Sequence, residues 1–364
     1  MKLDHTVRVA LILVLAAAGP RAAHATEYEV LDLGPAGDRH QPWSVNQDGQ
    51  VCGYTDFADG HDEGFVFDGT HFILIGFPSG ISRSDLLGIN GNGEAAGKSG
   101  TVYENGQAIL WTPGGPPPRR LRSLGTLGGS RSAATSINDL RQVVGWSKLP
   151  GDTASRAFLW QNDQMSALPV LGGDQAQAAW INNAGQIVGS STTGTDGLQQ
   201  FAVLWENGTV HRLPPEHPGL NNIANHIHDN GDIAGSVGLP RGSSFTRRAA
   251  VWRNRQLFLQ LGTLADGTPA EDFASSWAAC INARGEIVGM SVNAQSALVP
   301  FIWRDGRMTQ LDELMPAPWI AVFVGSGCIN DAGQIAVSAV VPGESGQHAL
   351  LLTPIGPRLV TPRR

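Results

Sequence analysis

One pattern returns along this chain so often that it sets the architecture: Ile or Val, Asn, two residues, Gly, a polar residue, two apolar residues, Gly. The Asn falls at Asn46, Asn90, Asn138, Asn182, Asn282 and Asn330, and His228 takes its place in the fifth of seven copies. Six copies keep the first glycine, at Gly49, Gly93, Gly185, Gly231, Gly285 and Gly333, with Arg141 as the exception. Six keep the second, at Gly53, Gly97, Gly145, Gly189, Gly235 and Gly289, with Val337 departing. A residue needed in every copy is most simply structural, and repeats of about 40–50 residues imply stacked units that cannot bury their apolar faces alone.

A second landmark, an apolar run, ends 21 to 24 residues after the Asn or its substitute, at Trp111, Trp160, Trp205, Trp252 and Trp303, with Phe67 and Leu352 as weaker versions, and a turn and a fourth run follow it in all but the last copy. Between landmarks there is room for four short strands and no helix. The first strand ends at the Asn. Its turn to the second strand suits a type I turn followed by a left-handed glycine, and the Asn side chain can bond the turn backbone. Arg141 at that position implies a strained residue if the third turn is the same. The second and third strands are apolar on successive residues, which indicates burial on both faces. Four-stranded units covered by their neighbours predict an all-β, seven-bladed β-propeller. A solenoid competes, but β-rich solenoids have shorter periods and need capping ends, and neither end of this chain looks like a cap. The last copy lacks a fourth strand, and "YEVLDLG" at Tyr28–Gly34 reads as one, so the N-terminal strand is expected to close the last blade.

Lys2 and Arg8, an apolar run, and small residues at Ala23 and Ala25 read as a signal peptide cleaved after Ala25, too short to span a bilayer. The chain is therefore expected to be secreted, extracellular or periplasmic, with residues 26–364 forming a single propeller and 355–364 a short tail. Without Lys2, Arg8, Arg21 and Asp4, the 25 basic and 32 acidic residues become 22 and 31, and the net charge moves from −7 to −9. An acidic exported chain without a basic stripe argues against nucleic acid, and no later run is long enough for a membrane span.

The Asn–Gly and Trp landmarks resemble the HAF-repeat extracellular proteins of bacteria, whose naming motif survives most literally as "HAL" at His348–Leu350. The resemblance covers nearly all of the chain after the leader. It implies an exported repeat protein and brings no catalytic residues. No nucleophile elbow, P-loop, dinucleotide fingerprint or zinc-protease motif is present, and no cofactor is expected.

What does not repeat is where function belongs. The connections from second to third strand and from fourth strand to the next copy are long and variable, and in a propeller both emerge on one face. The connections Gly37–Trp43, Arg83–Leu87, Asp174–Trp180, Asp266–Trp277 and Pro316–Trp319 form the candidate surface. Its candidate ligand-binding residues are Arg39, His40, Trp43, Arg83, Asp85, Asp174, Trp180, Asp272, Trp277 and Trp319. Aromatic faces beside hydrogen-bonding groups suit sugars or peptide strands, although Trp at these places also fills gaps between blades. The acidic stretch Asp56–Gly64 reads as a solvated loop, since its spacing is not that of a calcium loop. Cys280, Cys328 and His226 stand two before the motif Asn in adjacent copies. With His228 they make a weak zinc set, and buried small residues or one disulfide account for them more simply, so no metal is expected. Cys52 aligns with core positions. A binding or scaffold module for an extracellular glycan or protein is favoured over catalysis. A glycoside hydrolase or polysaccharide lyase using the same face is the alternative, because propeller carboxylates come from distant blades.

Overall fold

Backbone at the recurring glycine is left-handed, with φ from +74° to +85° in the six copies that have it. Asn46 shows the local logic. Its carbonyl accepts from Gly49 N–H, and its side-chain oxygen accepts from the N–H groups of Asp48 and Gln50, which ends one strand and starts the next. Arg141 occupies the same turn with φ +61°.

In the computed structural model, which describes residues 27–34, 38–76, 81–100, 106–114, 121–194, 199–241, 244–268 and 270–356, these turns generate seven four-stranded blades. The segment expected to be a signal peptide, Gly37 and tail residues 357–364 lie outside the described residues, as does the Asp272 side chain. The inner strands are Arg39–Val45, Arg83–Ile89, Ser132–Ile137, Ala176–Ile181, Asn222–Ile227, Ser276–Ile281 and Ile320–Phe323. Strands run antiparallel outward within each blade, and blades 1 and 2 merge into one sheet through a parallel bridge between Asp62 and Arg83. No helix among the described residues is long and apolar enough to cross a membrane.

The last blade is completed from the other end of the chain. Tyr28–Asp32 pairs antiparallel with His348–Pro354, Tyr28 opposite Pro354, and Tyr28 is fully buried. The core is divided into seven apolar clusters, one in each seam between adjacent blades. The recurrent tryptophan fills these seams: Trp160 packs on Ala108 and Leu110 of blade 2, and Trp252 on Ala202 and Leu204 of blade 4.

The second glycine of the motif is required by close approach. Each inner strand bulges three residues before the Asn, in blades 1 to 6. A Cβ on Gly189 would lie 2.1 Å from the Gln177 carbonyl oxygen, and one on Gly97 1.8 Å from that of Asp85. Blade 7 departs from this. Its inner strand leaves the sheet after Phe323 and rejoins at Ile329, so Val337 has room for a side chain, fully buried in the seam between blades 6 and 7.

Candidate functional site

The face carrying the Asn turns spends its polar groups on itself. The side-chain Nδ2 of Asn46 donates to the carbonyl of Asn90, Asn90 to Asn138, Asn138 to Asn182, Asn182 to His228, Asn282 to Asn330 and Asn330 back to Asn46, at 2.8–3.2 Å. A second belt runs beside it, in which the N–H after five of the six motif Asn residues meets a side chain of the next blade, such as Asp139 N–H to Asn183 at 2.9 Å. Four residues after the Asn, Gln50, Gln142, Gln186 or Gln334 accepts from the same Nδ2. Three blades have a carboxylate there, and each is neutralised by arginine: Glu94 by Arg141 at 3.2 Å, Asp232 by Arg253 in a two-pronged pair, and Glu286 by Arg284 at 2.8 Å. Arg141 thus tolerates a glycine's backbone to reach a buried carboxylate of the preceding blade.

The opposite face, where the variable connections emerge, is different. Around the parallel bridge of blades 1 and 2 the chain gathers Arg39, Gln41, Tyr54, Asp56, Asp62, Arg83, Asp85 and Lys98. Arg83 Nε is 3.1 Å from Asp62, Lys98 Nζ is 3.1 Å from Asp85 Oδ2, and Arg39 is 3.8 Å from Asp56. The Tyr54 hydroxyl donates to Gln41. Burial raises the carboxyl of Asp62 to a pKa of about 6. Arg83 opposes that rise and the charges of Asp85 and Asp56 reinforce it. Burial, with Asp85, Asp62 and Asp56, also pushes the Tyr54 phenol up. Asp85 Oδ1 is buried and has no hydrogen-bond partner in the described structure.

Of the sequence-predicted residues, Arg39, Arg83 and Asp85 join this cluster. His40 does not: it is buried, with Nδ1 2.9 Å from Thr55 Oγ1 and its ring edge-on to Phe72. Trp43, half-buried on the inner strand beside the cluster, packs edge-on to Phe323 and has an unpartnered Nε1. Trp180 packs on the ring of His226, and a Cβ on Gly327 of blade 7 would lie 2.3 Å from it, so Trp180 reaches across the channel from blade 4. Trp277 and Trp319 pack on the core between blades 6 and 7, Trp319 edge-on to His348. The Asp174 carbonyl accepts from Ser155 N–H and Arg156, while its Oδ1 has no partner. Asp272 is placed by its backbone in the short 3₁₀ turn Glu271–Phe273.

The cysteine reading resolves to a disulfide: Cys280 on the inner strand of blade 6 joins Cys328 in the segment that follows the inner strand of blade 7, and Cys52 is free and buried. Burial, then the charge of His228, lowers His226 to a pKa of about 3. Burial also opposes the charge on His228, but Asp331 at 3.1 Å outweighs it and holds the imidazole above its ordinary value. No three His, Cys, Asp or Glu side chains among the described residues converge as a metal site requires.

Sequence reasoning missed Tyr54, Asp62 and Lys98. Asp62 is not solvated, as the acidic stretch suggested. It opens a third strand, paired with Asp56 on one side and bridged to Arg83 on the other, and is buried there.

No family profile matches the chain, and no curated protein is detectably similar to it. Solved propellers are similar in fold. The β-propeller domain of the Trilobed protease from Pyrococcus furiosus aligns at TM-score 0.55 and 10% identity, over 89% of this chain and 95% of that one. The acylaminoacyl peptidase of Pyrococcus horikoshii aligns at 0.54 and 11% identity, over 89% of this chain and 52% of its own. YCF48 bound to D1 peptide aligns at 0.51 and 11% identity, over 92% and 99%. Likeness at this identity establishes the fold alone. The Trilobed domain is described as having an open velcro topology, whereas here the two ends of the chain share one sheet.

Proposed function

We propose that this propeller is an exported binding module whose variable face, centred on blades 1 and 2, holds an extracellular glycan or protein. The observation that carries the reading is a contrast between faces. The turn face satisfies its polar groups within its own belts, and none of the buried side-chain atoms that lack a hydrogen-bond partner belongs to those turns. The variable face keeps a dense mixed-charge cluster with unspent hydrogen-bonding capacity, and buried polar groups held that way cost stability that a ligand can recover. Export is supported by the leader and by the Cys280–Cys328 disulfide, which persists in oxidising compartments. The repeat landmarks support kinship with the HAF-repeat proteins. YCF48 carries a bound peptide on the same fold, so a peptide segment belongs among the ligands to be tested.

A binding screen of the mature chain against glycans and extracellular proteins tests this. Changes at Arg39, Arg83 and Asp85 should abolish capture, and changes at the turn residues Asp48 and Arg284 should spare it; the reverse pattern rejects the surface.

A second reading rests on Asp62. A carboxyl with a pKa near 6 beside a second carboxylate, Asp85, has the character of a general acid. If a polysaccharide is cleaved, and Asp62→Asn stops product release while binding persists, the module is a carbohydrate-active enzyme.

A further inference from the structure

Resting on the reading just given, we infer that the blade 1–2 cluster takes a neutral, polyhydroxylated sugar, with Asp85 accepting from a ligand hydroxyl and Trp43, on the adjacent inner strand, offering an edge donor. Charge is the first argument. Arg39, Arg83 and Lys98 are each balanced by Asp56, Asp62 and Asp85, so the cluster carries no large excess of either sign to attract a polyion. What it offers is donors and acceptors side by side, in a small space. A sugar hydroxyl both donates and accepts, and adjacent hydroxyls match such alternation where a methyl or a single ion does not.

The unspent atoms point the same way. Asp85 Oδ2 is engaged by Lys98, and Oδ1 is buried without a partner. Trp43 Nε1, on the neighbouring inner strand, is a buried donor without an acceptor. One acceptor and one donor are thus left unpaired on adjacent inner strands, and an O–H group that displaces the side chains covering them satisfies either. The half-buried Trp43 ring also gives an apolar surface of the kind that lies against the C–H face of a sugar. Arg83 and Lys98 are half-exposed, and their long side chains can move to admit a ligand while their ion pairs hold the carboxylates in register.

The test uses the mature chain on an array of neutral gluco-, galacto-, manno- and xylo-oligosaccharides, with polygalacturonate as the anionic counterpart and calorimetry on whatever binds. At least one neutral series should bind, with affinity varying less than about twofold between low and high salt, as expected where no net charge is neutralised. Asp85→Ala, which removes the acceptor, should weaken binding by about tenfold or more, and Trp43→Phe, which keeps an aromatic ring and removes the donor, severalfold. Both variants must melt within a few degrees of the parent; whichever of them folds carries the test. Unchanged affinity in a folded variant overturns the inference. So does exclusive, salt-sensitive binding of polygalacturonate. Capture of a protein or peptide through these residues without sugar binding overturns the sugar and leaves the surface standing, whereas ligand loss confined to turn-face variants overturns both.

Discussion

At the scale of single residues, two exceptions to the repeat show how a local rule yields to a neighbour. Arg141 takes a left-handed backbone costing about 1 kcal/mol, and it does so beside Glu94, which is 7% exposed. Arg141→Gly alone should therefore destabilise, because a buried carboxylate that keeps only the Asn90 amide and loses its cation costs about 1–3 kcal/mol, more than the strain released. Combined with Glu94→Gln it should stabilise by about 1 kcal/mol, since three other blades already use Gly with Gln. A double-mutant cycle by urea unfolding measures the coupling, and additive effects would show that the pair does not interact. His226 gives a second prediction. Burial and His228 hold its folded pKa at about 3, against about 6.5 in the unfolded chain. Between those values the unfolded chain binds more protons, so this contribution is whole above about pH 6.5 and is lost as pH falls toward 3. His226→Phe, which preserves the packing on Trp180, should flatten the acid limb of the stability curve by a few kcal/mol at about pH 4. A parent and variant with parallel acid limbs would exclude a buried neutral imidazole.

At the scale of elements, the bulged inner strand and the glycine opposite it form one unit. The bulge pushes a carbonyl toward the second strand, and only glycine leaves space for it. Gly189→Ala would place a methyl 2.1 Å from the Gln177 oxygen and should cost about 3 kcal/mol or more through displacement of the strand. Thermal melting checks this directly; a loss below about 1 kcal/mol would mean the inner strand is free to shift. Blade 7 supplies the natural control, because its inner strand leaves the sheet where Val337 stands. The same excursion brings Gly327 onto Ser44 of blade 1 and Cys328 onto Cys280 of blade 6, so one irregular segment ties three blades together.

At the scale of the whole molecule, the ring is closed by two unlike devices around blade 7. Tyr28–Asp32 supplies its outer strand, with Glu27 paired to Arg304 of blade 6, and the disulfide fixes the segment that follows its inner strand. Deleting residues 26–34 should lower stability by several kcal/mol through lost burial of Tyr28 and Leu33 and an opened sheet edge. The disulfide closes a loop of 48 residues and contributes about 4 kcal/mol on chain-entropy grounds. The strand sits in both seams of blade 7, Tyr28 against blade 6 and Leu33 against blade 1, while the disulfide ties only the blade 6 side, so reduction should harm the truncated chain more than the intact one. Calorimetry with and without reductant compares all four states, and a truncated chain that melts like the full one would refute closure by this strand.

Periodicity made the blades legible because a repeated turn needs the same local chemistry each time. Asn46 bonding Asp48 and Gln50, the left-handed glycine and the paired apolar strands are all settled within a few residues, and the missing fourth strand of the last copy had an obvious donor in Tyr28–Gly34. Partners far along the chain were not legible. The Asn46 amide also reaches Asn90, Arg141 reaches Glu94, and Cys280 meets Cys328, each across a seam that sequence spacing does not describe. The candidate site divides the same way: Arg39, Arg83 and Asp85 could be named from their place on the path into an inner strand, at whose start they lie, and His40 looked the same but turned into the core. Asp62 looked solvated, but it is buried where it pairs with Asp56 and bridges to Arg83. Local hydrogen bonding and alternation are written in adjacent residues. Desolvation depends on which blade covers which side chain, and only the closed ring decides that.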